Sequence, residues 1–193
     1  MQPGETYDTE TFSGTVDGDA GTASFLDCNF EGADLSGLRA DRARFSHCRF
    51  TEARAADLRL VDASVLDTDL VDCRVGALDA SGAEIRRVRW TGGKVDFANL
   101  RAASLREVAF GGCEFADLDL QDARLTKVRF TDCRIGRLAL SGAQLVDVDL
   151  SRAELAVVDG IGSLSGATVS SEQVHLLAAA FAEHLGLVIA DSR

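Results

Sequence analysis

Apolar residues recur at every fifth position along most of the chain. Over residues 25–155 this series has 27 members, of which 24 are large apolar residues and three are alanines. A second apolar series lies two residues before the first, over residues 23–153, and only Thr68 and Gly93 interrupt it. The register of the two series does not slip, so a single repeating unit of five residues accounts for both.

A five-residue period excludes both a helix and a continuous strand. In an α-helix each residue advances about 100°, so apolar residues at this period would be spread over all faces. In a strand, side chains alternate between the two faces, and an odd period would place successive core residues on opposite sides. What remains is a short extended segment with two inward residues, followed by a turn that resets the phase. Each unit then forms one side of a closed coil.

The inner positions also repeat every 20 residues. Taken at every fourth unit, they separate into columns dominated by alanine, by leucine, by valine with cysteine, and by alanine with cysteine. Because like residues then stack above like, four units close one turn. The prediction is an all-β fold, a right-handed quadrilateral parallel β-helix whose coils, about 4.8 Å apart, pair their backbone groups. Trp90 falls in a phenylalanine column opposite Gly93 and is expected to pack in the core.

Individual units resemble a known repeat. Ala33-Asp34-Leu35-Ser36-Gly37 and Ala98-Asn99-Leu100-Arg101-Ala102 are similar to the A-(D/N)-L-x-x consensus of the pentapeptide-repeat family. The resemblance implies the same solenoid fold. For the fluoroquinolone-resistance members of the family, including the mycobacterial one, it also implies a shaft that approximates duplex DNA in width and negative charge. Such a shaft occupies the DNA-binding saddle of DNA gyrase.

The two ends depart from the repeat. Residues 1–22 contain five acidic residues and no lysine or arginine, and we expect an irregular N-terminal cap there. The pentapeptide-repeat β-helix is expected over 23–157. Because the ends of a parallel β-helix expose unpaired strand edges, residues 158–193 are expected to form a C-terminal cap.

This C-terminal segment carries the signals of one short helix. Ser170 and Gln173 have the spacing of a capping box, so we expect a helix over about 171–185 and a short strand over about 187–190. In the resembled proteins a similar helix joins two copies tail to tail, so the resemblance implies a homodimer. The apolar stripe expected to form the dimer interface is Val174, Leu177, Phe181 and Leu185.

Charge narrows the classes of partner. The formal net charge of −11 argues against direct binding of nucleic acid by counterion release, but not against a partner that itself binds nucleic acid. Residues 23–157 contain 22 acidic and 19 basic residues, so most of the excess charge lies at the ends. The two more anionic patches of the shaft, expected to contact the partner, are Asp67, Asp69 and Asp72, and Glu114, Asp117, Asp119 and Asp122.

Catalysis is not indicated, and no cofactor or metal is expected. The three histidines form no dyad or triad, and coils filled by their own side chains leave no concave pocket. All five cysteines fall at inner positions and are expected to be buried thiols that fill space. No apolar run approaches the roughly 20 residues that span a bilayer, which favours a cytoplasmic protein with no membrane contact.

Two functions stay open at this point. The first, which the resemblance implies, is a non-catalytic DNA mimic that binds DNA gyrase or a related type II topoisomerase. It would inhibit the enzyme, protect it from quinolone-type poisons, or serve in self-resistance. The alternative is a structural or interaction scaffold whose protein partner is unrelated to DNA, since a fold does not imply a function. The near-neutral shaft favours this alternative.

Overall fold

In a computed structural model, residues 1–188 are described, and they form a parallel β-solenoid of about eight coils. The predicted fold class is confirmed. A 3-10 turn, Ile161–Leu164, and two short helices, α1 (Ser171–Leu176) and α2 (Ala178–His184), lie at the C-terminal end. The strands of the described residues, β1 to β20 in chain order, are Thr6–Asp8, Thr11–Phe12, Gly18–Asp19, Ser24–Leu26, Asn29–Glu31, Leu38–Arg39, Arg44–Ser46, Arg49–Thr51, Arg54–Arg59, Ser64–Leu66, Asp69–Val71, Arg74–Asp79, Glu84–Arg86, Arg89–Thr91, Lys94–Asn99, Ser104–Gly111, Glu114–Asp119, Arg124–Ala139, Gln144–Asp159 and Ala167–Thr168.

Each strand pairs with strands one coil away. From β4 to β17 the paired residues are 20 apart, as in Phe45 with Val65 and Val65 with Ile85. Four five-residue units therefore close one coil, as the columns predicted. The rings of Phe25 and Phe45 stack at 4.7 Å with an interplanar angle of 4°, which matches the spacing between hydrogen-bonded strands. Aromatic stacking and backbone pairing thus share one repeat distance.

Three of the four corners turn through a residue in the left-handed region. From Asp57 onward the fourth corner, which includes Ala77 and Phe97, has no positive φ, so strands such as β12 and β15 continue through it for six residues. A non-glycine residue in the left-handed region costs about 1 kcal/mol, and pairing with the adjacent coils offsets that cost. An outer row whose charges alternate lies at one of these left-handed corners and comprises Asp27, His47, Asp67, Arg87, Glu107, Lys127 and Asp147.

Trp90 is buried in its aromatic column, between Leu70 and Phe110, as predicted. Gly93, however, is required for a reason other than space for the indole. Its φ is +85°, and a Cβ there would overlap the backbone carbonyl of Cys73 in the neighbouring coil. Glycine is therefore required at position 93 because the backbones of the two neighbouring coils approach closely there.

The core is underfilled near the middle of the shaft. A cavity of about 90 Å³ lies where Ala55 and Ala80 occupy columns that hold larger residues in neighbouring coils. The atoms that face it are apolar, so it is expected to stay dry, and its lining loses dispersion contacts. The inward side chains that line it and keep residual accessibility are Phe50, Leu58, Leu60, Val65, Leu70 and Ile85.

The N-terminal segment forms a coil of the solenoid. Tyr7 pairs with Phe25, 18 residues on, whereas Gly18 pairs with Leu38, 20 residues on. The first coil is therefore two residues shorter than the others, which explains why its apolar residues fall out of the five-residue register. The Tyr7 ring stacks on Phe25 at 5.0 Å, and Met1 packs against the end of the core.

The predicted capping box is confirmed at Ser170, whose hydroxyl oxygen accepts from the Gln173 backbone N–H while the Gln173 side chain accepts from the Ser170 N–H. The helix expected at about 171–185 is present as α1 and α2, because the backbone at Leu177 departs from helical geometry (φ −90°, ψ 0°). Of the strand expected at about 187–190, residues 187–188 are in no strand and residues 189–190 lie outside the described residues.

Candidate partner-binding surface

The first predicted acidic patch lies beside arginines one coil further along the chain. Both carboxylate oxygens of Asp67 accept hydrogen bonds from Arg87, at 2.6 and 2.7 Å. Asp69 binds Arg89 in the same bidentate manner, with both distances 2.9 Å. Paired strands place residues 20 apart side by side, which brings each acid to its arginine. The negative field of this patch is therefore largely cancelled.

Three acids of the second predicted patch are also ion-paired. Glu114 lies 2.6 Å from Arg134, and Asp117 lies 3.1 Å from Arg137. Asp119 is buried and lies 3.1 Å from Arg101. The last two predicted residues, Asp72 and Asp122, sit at left-handed corners and have no ion-pair partner within residues 1–188. The structure thus separates five neutralised acids from two free ones.

These ion pairs also set the acidity of the carboxyl groups. The hydrogen bonds from Arg87 hold the pKa of Asp67 below its usual value, and those from Arg89 do the same for Asp69. The cause is stabilisation of the charged form by an adjacent guanidinium. Both carboxyls therefore stay ionised at neutral pH while their charge is balanced locally.

Free acidic residues are concentrated instead in the first two coils. Residues 1–38 contain eight acidic residues and no lysine or arginine. Of these eight, only Asp34 forms an ion pair among the described residues, with Arg54. This stretch without lysine or arginine is visible in the sequence, but most of it precedes the five-residue repeat, in which both predicted patches lie. The exposed members without an ion-pair partner are Glu5, Asp8, Glu10, Asp17, Asp19, Asp27 and Glu31.

One edge of the shaft continues this anionic surface. Glu52 and Asp72 are exposed at the same left-handed corner in successive coils, and Glu31 lies one coil below beside that corner. None of the three has an ion-pair partner in the described part of the chain. We call the free carboxylates of the N-terminal coils, together with those of this edge, the acidic N-terminal surface.

The predicted dimer stripe divides into two sets. Leu177 and Phe181 pack against the core at the end of the solenoid of their own chain. Val174 and Leu185 are 44% and 70% exposed. The helices therefore cover the last coil with one face and leave apolar side chains on the other.

Serine, aspartate and histidine residues do meet in one open cleft at the C-terminal end. Ser141, Asp159, Ser163 and His184 all line it. Asp159, however, accepts a hydrogen bond from Arg137 at 2.7 Å, and among the described residues no hydrogen bond links His184 to a hydroxyl or carboxylate. The cleft thus lacks the base-to-nucleophile contact on which acyl-transfer chemistry depends.

The five cysteines are buried at the inner positions, as predicted. The thiol of Cys48 donates to the carbonyl oxygen of Phe25 at 3.4 Å, and burial raises the pKa of this thiol to about 11. It is therefore protonated and unreactive at neutral pH. Over residues 1–188, no helix has the length and apolar character needed to cross a membrane.

Comparison with known proteins places the repeat in a family. A family model described as "Pentapeptide repeat region" matches residues 23–100 and 83–159. No curated protein sequence matches the chain.

Solved structures with a similar course of the chain include full-length QnrB1, a plasmid-mediated fluoroquinolone resistance protein. It is 18% identical, the match covers 94% of this chain and all of QnrB1, and the TM-score is 0.42. HetL, a pentapeptide repeat protein involved in heterocyst differentiation regulation from the cyanobacterium Nostoc sp. strain PCC 7120, is also 18% identical. That match covers 79% of this chain and 90% of HetL, with a TM-score of 0.32. At these values the likeness carries no argument about function.

Proposed function

Because the chain belongs to the pentapeptide-repeat family, we propose that it is a non-catalytic, DNA-mimicking protein that binds DNA gyrase or a related type II topoisomerase. The observation that carries the proposal is the acidic N-terminal surface on a continuous rod. The rod supplies a fixed array of charges, because each coil is paired along its length with the next. The resemblance noted from the repeat units supplies the identity of the partner.

The charge density supports mimicry at this end of the rod. Duplex DNA carries about one negative charge per 1.7 Å of axis, or about six over the 10 Å that two coils occupy. Residues 1–38, which span about two coils, hold eight carboxylates. Residues 39–137, in contrast, contain 16 acidic and 18 basic residues. The proposed contact is therefore the acidic N-terminal surface, and the paired acids of the shaft contribute less.

We further propose that two copies join through their C-terminal ends. Val174 and Leu185 are exposed on the helices, and Leu187 and Val188 extend this apolar surface at 61% and 95% exposure. Burial of these side chains against a second copy is favourable, at about 25 cal/mol per Å² of apolar area. A symmetric contact of this kind closes and gives one rod of double length, with an acidic surface at each outer end.

A supercoiling assay with purified gyrase tests the proposal. We expect inhibition at micromolar protein, or protection when a quinolone is present. In the triple variant Glu10→Gln, Asp27→Asn and Glu31→Gln we expect the half-inhibitory concentration to rise at least tenfold. The matched control, Asp69→Asn with Asp117→Asn and Asp132→Asn, makes the same change in net charge at ion-paired positions and should retain most activity.

Two outcomes would count against this function. Absence of both inhibition and protection at micromolar dimer would remove gyrase as the partner. Equal loss of activity in the two triple variants would show that the acidic N-terminal surface is not the contact.

The alternative function is a scaffold for a protein partner unrelated to DNA. The observation that favours it is the pairing of acids and arginines along the shaft, such as Asp132 with Arg152 at 2.9 Å, which leaves the middle coils near neutral. A scaffold of this kind would leave gyrase unaffected and would bind its partner with little dependence on salt concentration.

A further inference from the structure

One outer row of the shaft breaks the rule of alternating charge. Arg54, Arg74 and Lys94 are direct partners in successive strands β9, β12 and β15. Their backbones are separated by about 4.8 Å per coil, and like charges placed opposite each other destabilise a sheet. Further along the same row the signs alternate, through Glu114, Arg134 and Glu154. This is the one run of three like charges on a row of the described shaft.

The positive charge of the middle residue, Arg74, is not balanced by an ion pair among the described residues. Arg54 lies 3.4 Å from Asp34, and Lys94 lies 2.7 Å from Asp96. Arg74 is exposed and forms no ion pair within residues 1–188. The row therefore presents a free guanidinium between two ion-paired cations, Arg54 with Asp34 beyond one end of the row and Lys94 with Asp96 in the same strand.

A groove runs beside the three cations. It has a volume of about 480 Å³, and its floor is formed by Ala56 and Gly76. The floor is kept low at Gly76 because a Cβ there would lie 2.5 Å from the carbonyl oxygen of Ala56. Cations along one wall and a floor of small residues make a channel that can hold an extended chain, and Asp96, paired with Lys94, lines its far end.

We propose that this groove binds a short acidic peptide segment of a protein partner. The three cations span two coil spacings, about 10 Å, and an extended peptide rises about 3.3 Å per residue, so three or four residues fit the row. Asp34 at one end and Glu114 at the other would repel a longer polyanion. A short run of carboxylates therefore fits the site, and a nucleic-acid strand does not. The proposal is independent of the gyrase contact, which uses other residues.

The repulsion among the like charges of this row gives the proposal a distinctive test. Arg74→Glu places an acid between Arg54 and Lys94, which restores alternation, so it should keep or raise the melting temperature while it weakens docking. If Arg74 had only a structural role, the melting temperature and the affinity for the peptide would fall together. The matched control is Arg124→Glu, which makes the same charge change at an exposed position between Ser104 and Gln144, away from the groove.

Binding is measured by fluorescence anisotropy with a fluorescein-labelled peptide, Gly-Asp-Glu-Asp-Glu-Gly, and its amide counterpart, Gly-Asn-Gln-Asn-Gln-Gly. We expect the acidic peptide alone to bind the intact protein, more weakly as salt rises. Arg74→Glu should weaken binding at least tenfold, and Arg124→Glu less than twofold. Absence of binding to the intact protein, equal loss in both variants, or tighter binding of a labelled twelve-nucleotide thymidine strand would overturn the proposal.

Discussion

The side-chain amide of Gln173 donates a hydrogen bond of 2.8 Å to the backbone carbonyl oxygen of Leu150. A second bond from the same nitrogen, 2.7 Å long, reaches the carbonyl oxygen of Ala153. In the coils below, carbonyl oxygens of this kind accept from the next coil's backbone. At this side of the rod, one glutamine side chain therefore supplies the hydrogen bonds that the backbone of a further coil would donate. The capping box fixes the position of this side chain.

Removal of this amide should loosen the last coil. Gln173→Ala leaves two buried carbonyl oxygens without a donor and breaks the capping box, a loss of about 2–3 kcal/mol in local stability. We expect hydrogen-exchange protection in β19 (Gln144–Asp159) to fall about 30- to 150-fold, while protection in β7 to β9 stays unchanged. Gln144→Ala, at an exposed position with no side-chain hydrogen bond among the described residues, is the control. Unchanged protection in β19 would contradict the assigned role.

The two sets of the helical stripe should respond differently to mutation. Leu185→Glu should leave the melting temperature unchanged and convert the proposed dimer to a monomer in analytical ultracentrifugation, because Leu185 is exposed in the single chain. Phe181→Ala should lower the stability of the C-terminal end by about 2–4 kcal/mol, because its ring packs against the core.

Val146→Glu is the control for the dimer measurement, since this valine is 59% exposed on the shaft. A monomeric unmutated protein at micromolar concentration would refute the dimer. Loss of secondary structure in Leu185→Glu would instead show that this leucine belongs to the cap.

The ion pairs of the first acidic patch predict how stability depends on pH. The pKa of Asp69 is lowered in the folded state, first by the hydrogen bonds from Arg89. The stabilisation is therefore complete above the unfolded value of about 3.9 and is lost as pH falls through the lower folded value. Carbon-detected NMR should place the Asp69 midpoint below about 3.9, and Arg89→Gln should raise it toward that value. An Asp69 midpoint that does not respond to Arg89→Gln would rule out the guanidinium as the cause.

Filling the central cavity should stabilise the shaft. Ala55→Val adds two methyl groups in a column where Leu35 and Val75 are the neighbours, and the added carbon atoms enter the cavity. Each buried carbon contributes about 0.8 kcal/mol, so we expect a gain of about 1 kcal/mol after some strain. The measurement is urea unfolding followed by circular dichroism.

Ala123→Val is the matched substitution away from the cavity. Ala123 is fully buried in the alanine column, so the same added volume overpacks the core and should destabilise by about 1–3 kcal/mol. Equal effects of the two substitutions would show that the cavity is not available to a larger side chain.

The repeating core was predictable because it depends only on which residues recur at a fixed spacing along the chain. An apolar residue at every fifth position, such as Phe45 or Leu105, must face inward when residues 20 apart are stacked. The capping box at Ser170 was predictable for a similar reason, since it depends on two residues three positions apart. Both features follow from spacing along the chain.

Features that depend on side-chain reach were not predictable in the same way. Asp67 and Asp69 form an anionic patch along the sequence. The 20-residue spacing places Arg87 and Arg89 beside them, but the direction of each guanidinium depends on side-chain reach. The shortened first coil was hidden because a loss of two residues shifts Tyr7 out of the period. The need for Gly93 was also hidden, because the carbonyl that excludes a Cβ belongs to the adjacent coil.

Pairing at a constant interval of 20 residues makes the interior of this rod modular. From β4 to β17, removal or duplication of any 20 consecutive residues leaves each backbone group opposite an equivalent neighbour. The molecule can therefore change length in steps of about 5 Å without a new fold. A gene that gains or loses 60 nucleotides in frame would in this way adjust the distance between the two ends while both terminal structures are kept.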